Sequence, residues 1–315
     1  MLEARLKASR DGIAEFFWSN TNQGQYGGFS QEKSTRFNVT GDDEWHVYRV
    51  MPFWQREGRI IRLRFDVFDG ASFEIDYIRI VQLDTPPRVE RPVFNFAKGT
   101  DGWQSVGGAV VDSEKTNQRA GGISLGGSGW ALSPPLDINA EEQNFVSLTL
   151  SANRSGHATL LFATESSYGL HSLSFPVDAS TEGRTYNLDM LSASEWRGRV
   201  IALGLAPLDV ASASLRLDSL EVTNAPQGPP QLKVLSFALD DALPRDNVPT
   251  TLSALISNSG GEILSNLQAN LALPDDVEVL HTPADESRVA RLGFGEEAVF
   301  NWRVLSAKPL RGQAT

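Results

Sequence analysis

The sequence predicts an all-β chain of successive sandwich-like modules, and three observations carry that prediction. No window longer than about ten residues keeps an apolar i, i+3, i+4, i+7 stripe without glycine, proline or strand-like alternation breaking it. A stretch of the N-terminal third recurs in the middle of the chain. Two proline-rich joints, LDTPPRVERP (83–92) and NAPQGPP (224–230), stop strand pairing and set the repeats apart from each other and from a differently patterned third region.

Taken in order, the first copy opens on LEARLKASRDGIAEFFWS from Leu2, two alternating runs about Gly12 that read as a β-hairpin. A strand over 59–66 follows, with Arg59, Ile61, Leu63 and Phe65 on one face and Ile60, Arg62, Arg64 and Asp66 on the other. FEIDYIRI from Phe73 closes the copy. The second copy repeats this grammar about 142 residues later. SLTLSANRSGHATLLFAT turns at Gly156, Trp196 stands for Trp54, Gly198-Arg199 for Gly58-Arg59, and LRLDSLEV carries Asp218 where the first copy has Asp76. One face of the 59–66 strand is kept as Arg199, Ile201, Leu203 and Leu205, while the other becomes Val200, Ala202, Gly204 and Ala206. The kept face predicts core, and the changed face is where the copies can differ in job. The second copy also has a front half, 93–140, with no counterpart in the first, so the first module is expected to be an incomplete version of the second. From Gln231, short strands alternate with NSGG and PDD turns and end on EEAVFNWRVLSA.

Composition bounds the functions open to such a chain. At 315 residues it predicts two or three domains. A net charge of −11 repels phosphate backbones and argues against nucleic-acid binding. No apolar run approaches the roughly 18–20 residues of a membrane-spanning helix. The absence of cysteine excludes disulfides and thiolate metal sites. Residues 1–20 have no continuous apolar segment of the secretory type; with the first module expected to be incomplete, a signal peptide is expected upstream.

The order GW…ISLGGSGWALSPPLDI…SLTLSA…LDSLEVT in 102–223 resembles the galactose-binding-domain-like jelly rolls common among carbohydrate-binding modules, and FEIDYIRIV looks like the last part of the same fold. LISNSGGEILSNLQANLALPDDVEV resembles immunoglobulin-like domains of the CARDB and alpha-galactosidase-associated type. The resemblance implies the C-terminal part of a jelly roll at 1–82, a complete jelly roll at 93–223 and an immunoglobulin-like domain, itself open to being incomplete, at 231–315. It implies a non-catalytic carbohydrate-binding region of a larger extracellular or periplasmic bacterial protein, with a catalytic or anchoring domain elsewhere in the polypeptide and a polysaccharide or cell-surface glycan as partner. The alternative is a structural or adhesive stalk with no small-ligand site.

Aromatic side chains offer flat apolar faces to sugar rings, which makes Tyr26, Phe29 and Trp54 candidates in the first copy and Trp130, Tyr168 and Trp196 in the second, with Trp18 and Trp103 behind them. Trp54 and Trp196 recur in register, which also speaks for packing. Arg62 and Arg64 are candidates for a uronate or sulfate, because guanidinium pairs bidentately with such groups, or else they line a solvated strand. Asp76 and Asp218 are candidate ligands of a structural calcium, as the resemblance implies, with Asp101 or Asp112 as partners in the second copy; a hydrogen-bonded strand aspartate is the other reading. Catalysis within this segment is not expected. The four histidines lack metal-binding spacing, the clusters Asp42-Asp43-Glu44, Asp240-Asp241 and Asp275-Asp276 lie in turn contexts, and the glycine-rich GGISLGGSG reads as a loop with no helix to present to a phosphate.

Overall fold

The structure, a computed structural model, describes residues 1–54, 57–82, 88–90, 92–97, 99–106, 109–113, 121–127, 129–241, 247–273, 277–281 and 288–306; of 109–113, 127 and 281 only the backbone is described. Among these residues the chain is all-β, and its helical segments are three single 3-10 turns. It divides into two compact units, one of residues 1–184 and 188–224, the other of 185–187 and 225–315. No described helix is long and apolar enough to cross a membrane.

In the first unit the N-terminal copy supplies β1 (Leu2–Ala8), β2 (Gly12–Ser19), β3 (Ser34–Val39), β4 (His46–Val50), β5 (Arg62–Asp66) and β6 (Phe73–Ile80). They form two three-stranded antiparallel sheets, β4-β1-β6 and β3-β2-β5. The inward positions Leu2, Leu6, Phe16, Phe37 and Tyr48 make the core between them, where the rings of Phe16, Phe37 and Phe65 stack at 4.6–6.1 Å. The turn at Gly12 therefore does not close a hairpin: β1 and β2 join opposite sheets, and the chain arches across the core. Alternation fits both geometries equally, because a strand buries one face whether its sequence neighbour lies beside it or across from it. The run 59–66 is also shorter than expected, since pairing with β2 begins only at Arg62.

The second copy adds β7 (Val93–Phe94), β8 (Gln104–Val106), β9 (Ala109–Ser113), β10 (Ile123–Gly127), β11 (Trp130–Leu132) and β12 (Ile138–Asn139) ahead of β13 (Phe145–Ala152), β14 (Gly156–Thr164), β15 (His171–Val177), β16 (Ser180–Asp189), β17 (Arg199–Ala206) and β18 (Leu215–Thr223). Its sheets run β16-β13-β18-β10-β9 and β15-β14-β17-β11-β8. The strand orders β16-β13-β18 and β15-β14-β17 reproduce those of the first copy, arch included. The glycine-rich stretch expected to be a loop is strand β10, paired with both β9 and β18.

Within this unit the two copies meet along an apolar seam. Phe53, which follows β4, forms one buried cluster with Val106, Leu132, Ala163 and Ala202, flanked by Met51, Trp130 and Leu170. Its ring lies 6.0 Å from that of Trp130. Trp130 packs against Gly204, where any Cβ would collide with the indole. Lys33 Nζ stands 5.3 Å over the Tyr168 ring and pairs with the buried Glu57 at 2.9 Å.

In the other unit β19 (Leu232–Leu239), β20 (Thr250–Asn258), β22 (Val277–His281) and β24 (Glu297–Ser306) form the sheet β19-β20-β24-β22, and β21 (Leu264–Gln268) pairs with β23 (Arg288–Leu292). Leu252, Ile256, Leu292, Phe300, Trp302 and Val304 fill its core. Asn258, fully buried in the NSGG turn, accepts from the Gln231 and Gly260 amides and donates to the carbonyls of Glu262 and Leu292, which satisfies its whole amide. The Pro-Asp-Asp turn, with Asp275-Asp276, lies outside the described residues.

Two predictions follow from the packing. Glu3 on β1 is buried and accepts from Arg49 across one strand pair and from Arg79 and Tyr77 across the other. Hydrogen bonds from Arg49 and Tyr77 and the Arg79 charge hold its carboxyl below the ordinary 4.5. Its stabilising contribution is thus complete above that value and is lost as pH falls towards the folded-state pKa. Thermal melts should show Glu3→Gln less stable than wild type at pH 7, with the gap narrowing as pH falls below 4.5; a gap independent of pH would contradict the ion-pair account. Phe53→Ala should cost about 3 kcal/mol in the melt of the first unit, as a cavity opens in the seam, and should leave the unfolding of the second unit in place.

Candidate functional site: the outer face of the β3-β2-β5 sheet

Alternation along β2 sends Ala14, Phe16 and Trp18 inward and Glu15, Phe17 and Ser19 outward. Register then sets the outward rows: Arg36, Glu15 and Asp66 lie side by side, then Ser34, Phe17 and Arg64, then Ser19 and Arg62. The arginines do not hang free in water. Arg64 lies 4.1 Å above the Phe17 ring and 5.1 Å from that of Phe29, and its fork grips Asp66 through two bonds of 2.8 Å. Arg62 stands 5.0 Å from Phe29 and donates to the Gly27 carbonyl at 3.2 Å. Stacking leaves the guanidinium edge free for hydrogen bonds while its face is satisfied.

These contacts pin the loop NTNQGQYGGFS against the sheet. Ser19 Oγ donates to Thr21 O at 2.6 Å and reaches Gly27 O at 3.3 Å. Phe29 is buried under the two arginines. Tyr26 and Gly27 both adopt left-handed backbone, φ 54° and 66°, and a side chain on Gly27 would run into Arg62. Tyr26 is thereby turned outward, and at 73% exposure it is the most exposed large apolar residue among those described. Arg62 makes no ion pair among the described residues, so the loop and sheet together present an aromatic ring and a guanidinium with donor capacity to spare.

The same face of the second copy is covered. Ala202 and Gly204 replace Arg62 and Arg64, and the seam cluster with Phe53 and Trp130 lies on them. Trp130 and Tyr168, expected as sugar platforms, are thus placed in the contact between copies. Trp54 and Trp196 are placed in the cores: Trp54 meets Trp18 edge-on at 6.0 Å, Trp196 meets Phe162 at 5.3 Å, and the Trp196 indole N–H donates to Gln143 O. Trp103 is buried against Phe94 and Phe96.

The aspartates that recur in register have a shared structural place. In β6 the pairing with β1 passes from Arg5 opposite Tyr77 to Leu6 opposite Ile75, skipping Asp76. In β18 it passes from Thr149 opposite Ser219 to Leu150 opposite Leu217, skipping Asp218. Each aspartate is the extra residue of a β-bulge. Asp76 pairs with Arg5 at 2.6 Å and Asp218 with Arg216 at 2.7 Å. Asp101 accepts from the amides of Asn95 and Phe96, and the side chain of Asp112 lies outside the described set. Among the described residues no three His, Asp or Glu side chains gather as a metal site.

One hydroxyl–imidazole contact escaped the sequence reading: Ser167 Oγ lies 2.7 Å from His171 Nε2 and 2.6 Å from Thr164 Oγ1. Burial pushes the His171 pKa down, its ring lies against Phe162, and Ser167 is buried. The hydroxyl of the pair is thus turned away from solvent, while His171 is half-buried. Phe17 and Phe53 were missed as well. The signal for Phe53 was present in the small residues of β17, which require a large neighbour from elsewhere.

No family model matches the chain, and no curated protein matches it. Among solved structures, the chain is similar to a family 11 carbohydrate-binding module from Clostridium thermocellum in complex with a β-1,3-1,4-mixed-linked tetrasaccharide, at 13% identity and a TM-score of 0.32, covering 44% of this chain and 97% of that one. A second is a family 22 module joined to a family 10 xylanase domain from Clostridium thermocellum, complexed with xylohexaose, at 14% identity and a TM-score of 0.32, covering 42% of this chain and 28% of that one. A third is the glycoside hydrolase domain of Endo-D from Streptococcus pneumoniae R6, at 14% identity and a TM-score of 0.28, covering 67% of this chain and 33% of that one. At these scores none of the three bears on which residues bind what.

Proposed function

We propose that the chain is a non-catalytic glycan-binding region whose site is the outer face of the β3-β2-β5 sheet. The observation that carries this reading is the exposed Tyr26 in the loop that Arg62 holds to the sheet through the carbonyl of the next residue, Gly27. A pyranose offers a C–H face to an aromatic ring and hydroxyl edges to hydrogen-bond donors. A carboxylate or sulfate on the sugar would suit the Arg62 guanidinium. Arg62, Arg64 and Arg36 outnumber Asp66 and Glu15 on this face, a local positive balance in a chain of net charge −11. We therefore assign an anionic polysaccharide as the preferred partner, with binding at the first copy alone rather than at both.

The wider reading keeps three modules, at 1–82, 93–223 and 231–315, the last as an immunoglobulin-like spacer, in an extracellular or periplasmic bacterial protein that holds a catalytic or anchoring domain near glycan. A stalk without a ligand site is the second reading, favoured by the buried seam that joins the first two copies.

Affinity electrophoresis of the whole chain through neutral, uronate-containing and sulfated polysaccharides separates them. Retention is expected on an anionic gel, weakening as salt is raised. Tyr26→Ala and Arg62→Gln should each reduce it roughly tenfold, about 1.4 kcal/mol, while Tyr168→Phe leaves it unchanged. Retention indifferent to both substitutions would place the site elsewhere, and no retention on any gel would favour the stalk.

A further inference from the structure

The two copies follow one plan as far as β5 and β6 and part company at their outer edges. In the second copy β10 runs antiparallel along β18, Ile123 opposite Leu217 and Leu125 opposite Leu215, and β11 runs along β17, Ala131 opposite Leu205 and Leu132 opposite Gly204. With β7 pairing further along β18, Phe94 opposite Leu220, Leu215, Leu217, Leu220 and Val222 are 1, 0, 0 and 6% exposed. The equivalent residues of the first copy are Phe73, Ile75, Ile78 and Ile80. They face the same interior, since Ile75, Ile78 and Ile80 lie opposite Leu6, Ala4 and Leu2, which are fully buried. Yet they are 47, 37 and 66% exposed, and Leu63 on β5 is 38% exposed where Leu203 is 0%. Among the described residues no strand pairs with the outer edge of β5 or β6.

An edge left to water normally carries charge on its faces or is blunted by proline or a short strand. Here the charges of β6, Glu74, Asp76 and Arg79, lie on its outer face, and its inward face at the edge is β-branched and apolar. We infer that the free edges of β5 and β6 accept a polypeptide front half of this repeat: an extended segment of alternating apolar sequence that pairs with both edges as β10 and β11 do and closes the first core. The second copy supplies the argument for that occupant, because it shows the same two edges already filled by such a segment. Edge-to-edge pairing of two copies of the chain would satisfy one sheet and leave the gap between the sheets open.

The test fuses residues 93–144 through a flexible polar linker to the N-terminus of the whole chain, which gives the segment a high effective concentration, and reads hydrogen exchange strand by strand. Exchange in Arg62–Asp66 and Phe73–Ile80 is expected to slow at least tenfold against the unfused chain, with β17 and β18 unchanged as internal reference. Ile80→Lys should abolish that protection in the fusion and leave the melting of the unfused chain nearly unaltered, since this side chain is 66% exposed there. Unchanged exchange at β5 and β6 in a folded fusion would overturn the inference. Protection in the unfused chain that rises with its own concentration would overturn it too, in favour of self-pairing.

Discussion

Phe53 packed over the small residues of β17 is the contact on which the arrangement of the first unit depends. Ala202 and Gly204 leave a flat apolar strip, Trp130 packs against Gly204, and the Phe53 ring joins them to close the strip from water. Burying two large aromatic faces in one place is worth several kcal/mol by area. It joins two repeats that would otherwise be separate sandwiches into one compact unit. It also decides which of the two equivalent sheet faces stays open, since the face that carries the seam is no longer available to a ligand.

The open face then depends on a different balance. Arg62 and Arg64 would extend freely on a bare strand, but Phe17 and Phe29 give their planes an apolar support and Asp66 fixes the fork of Arg64. The same arginines hold down the loop whose left-handed backbone at Tyr26 and Gly27 turns the phenol outward. Site and scaffold are therefore one set of contacts. The ring is exposed because its neighbours are fixed, which lowers the ordering cost that binding would otherwise meet.

The repeated aspartates show a sequence match with a structural meaning, the paired strand aspartate that was one of its two readings. Asp76 and Asp218 keep their register because each fills a bulge at the same point of the same strand, and each is neutralised by an arginine. A bulge turns its extra residue out of the ladder, and a short charged side chain with a nearby partner tolerates that exposure. The recurring Trp54 and Trp196 belong to the cores for a similar reason: each meets the β2 or β14 aromatic, Trp18 or Phe162, edge-on.

Legible in the amino-acid order alone were the all-β class, the two-fold repeat, the two faces of the strands that became β5 and β17, and the fact that the copies differ on one of those faces. Each of these rests on period-two alternation or on self-similarity, which are local or internal properties of the chain. Long-range packing settled that Gly12 and Gly156 turn arches instead of hairpins, that Trp130 lies in a seam and Tyr168 under Lys33 of the other copy, and that Arg62, Arg64 and Phe29 converge on one face. Alternation states which face of a strand is apolar, but it does not state what lies against that face. That partner is chosen by packing between residues distant in sequence, such as Phe53 and Ala202, whose meeting no local pattern encodes.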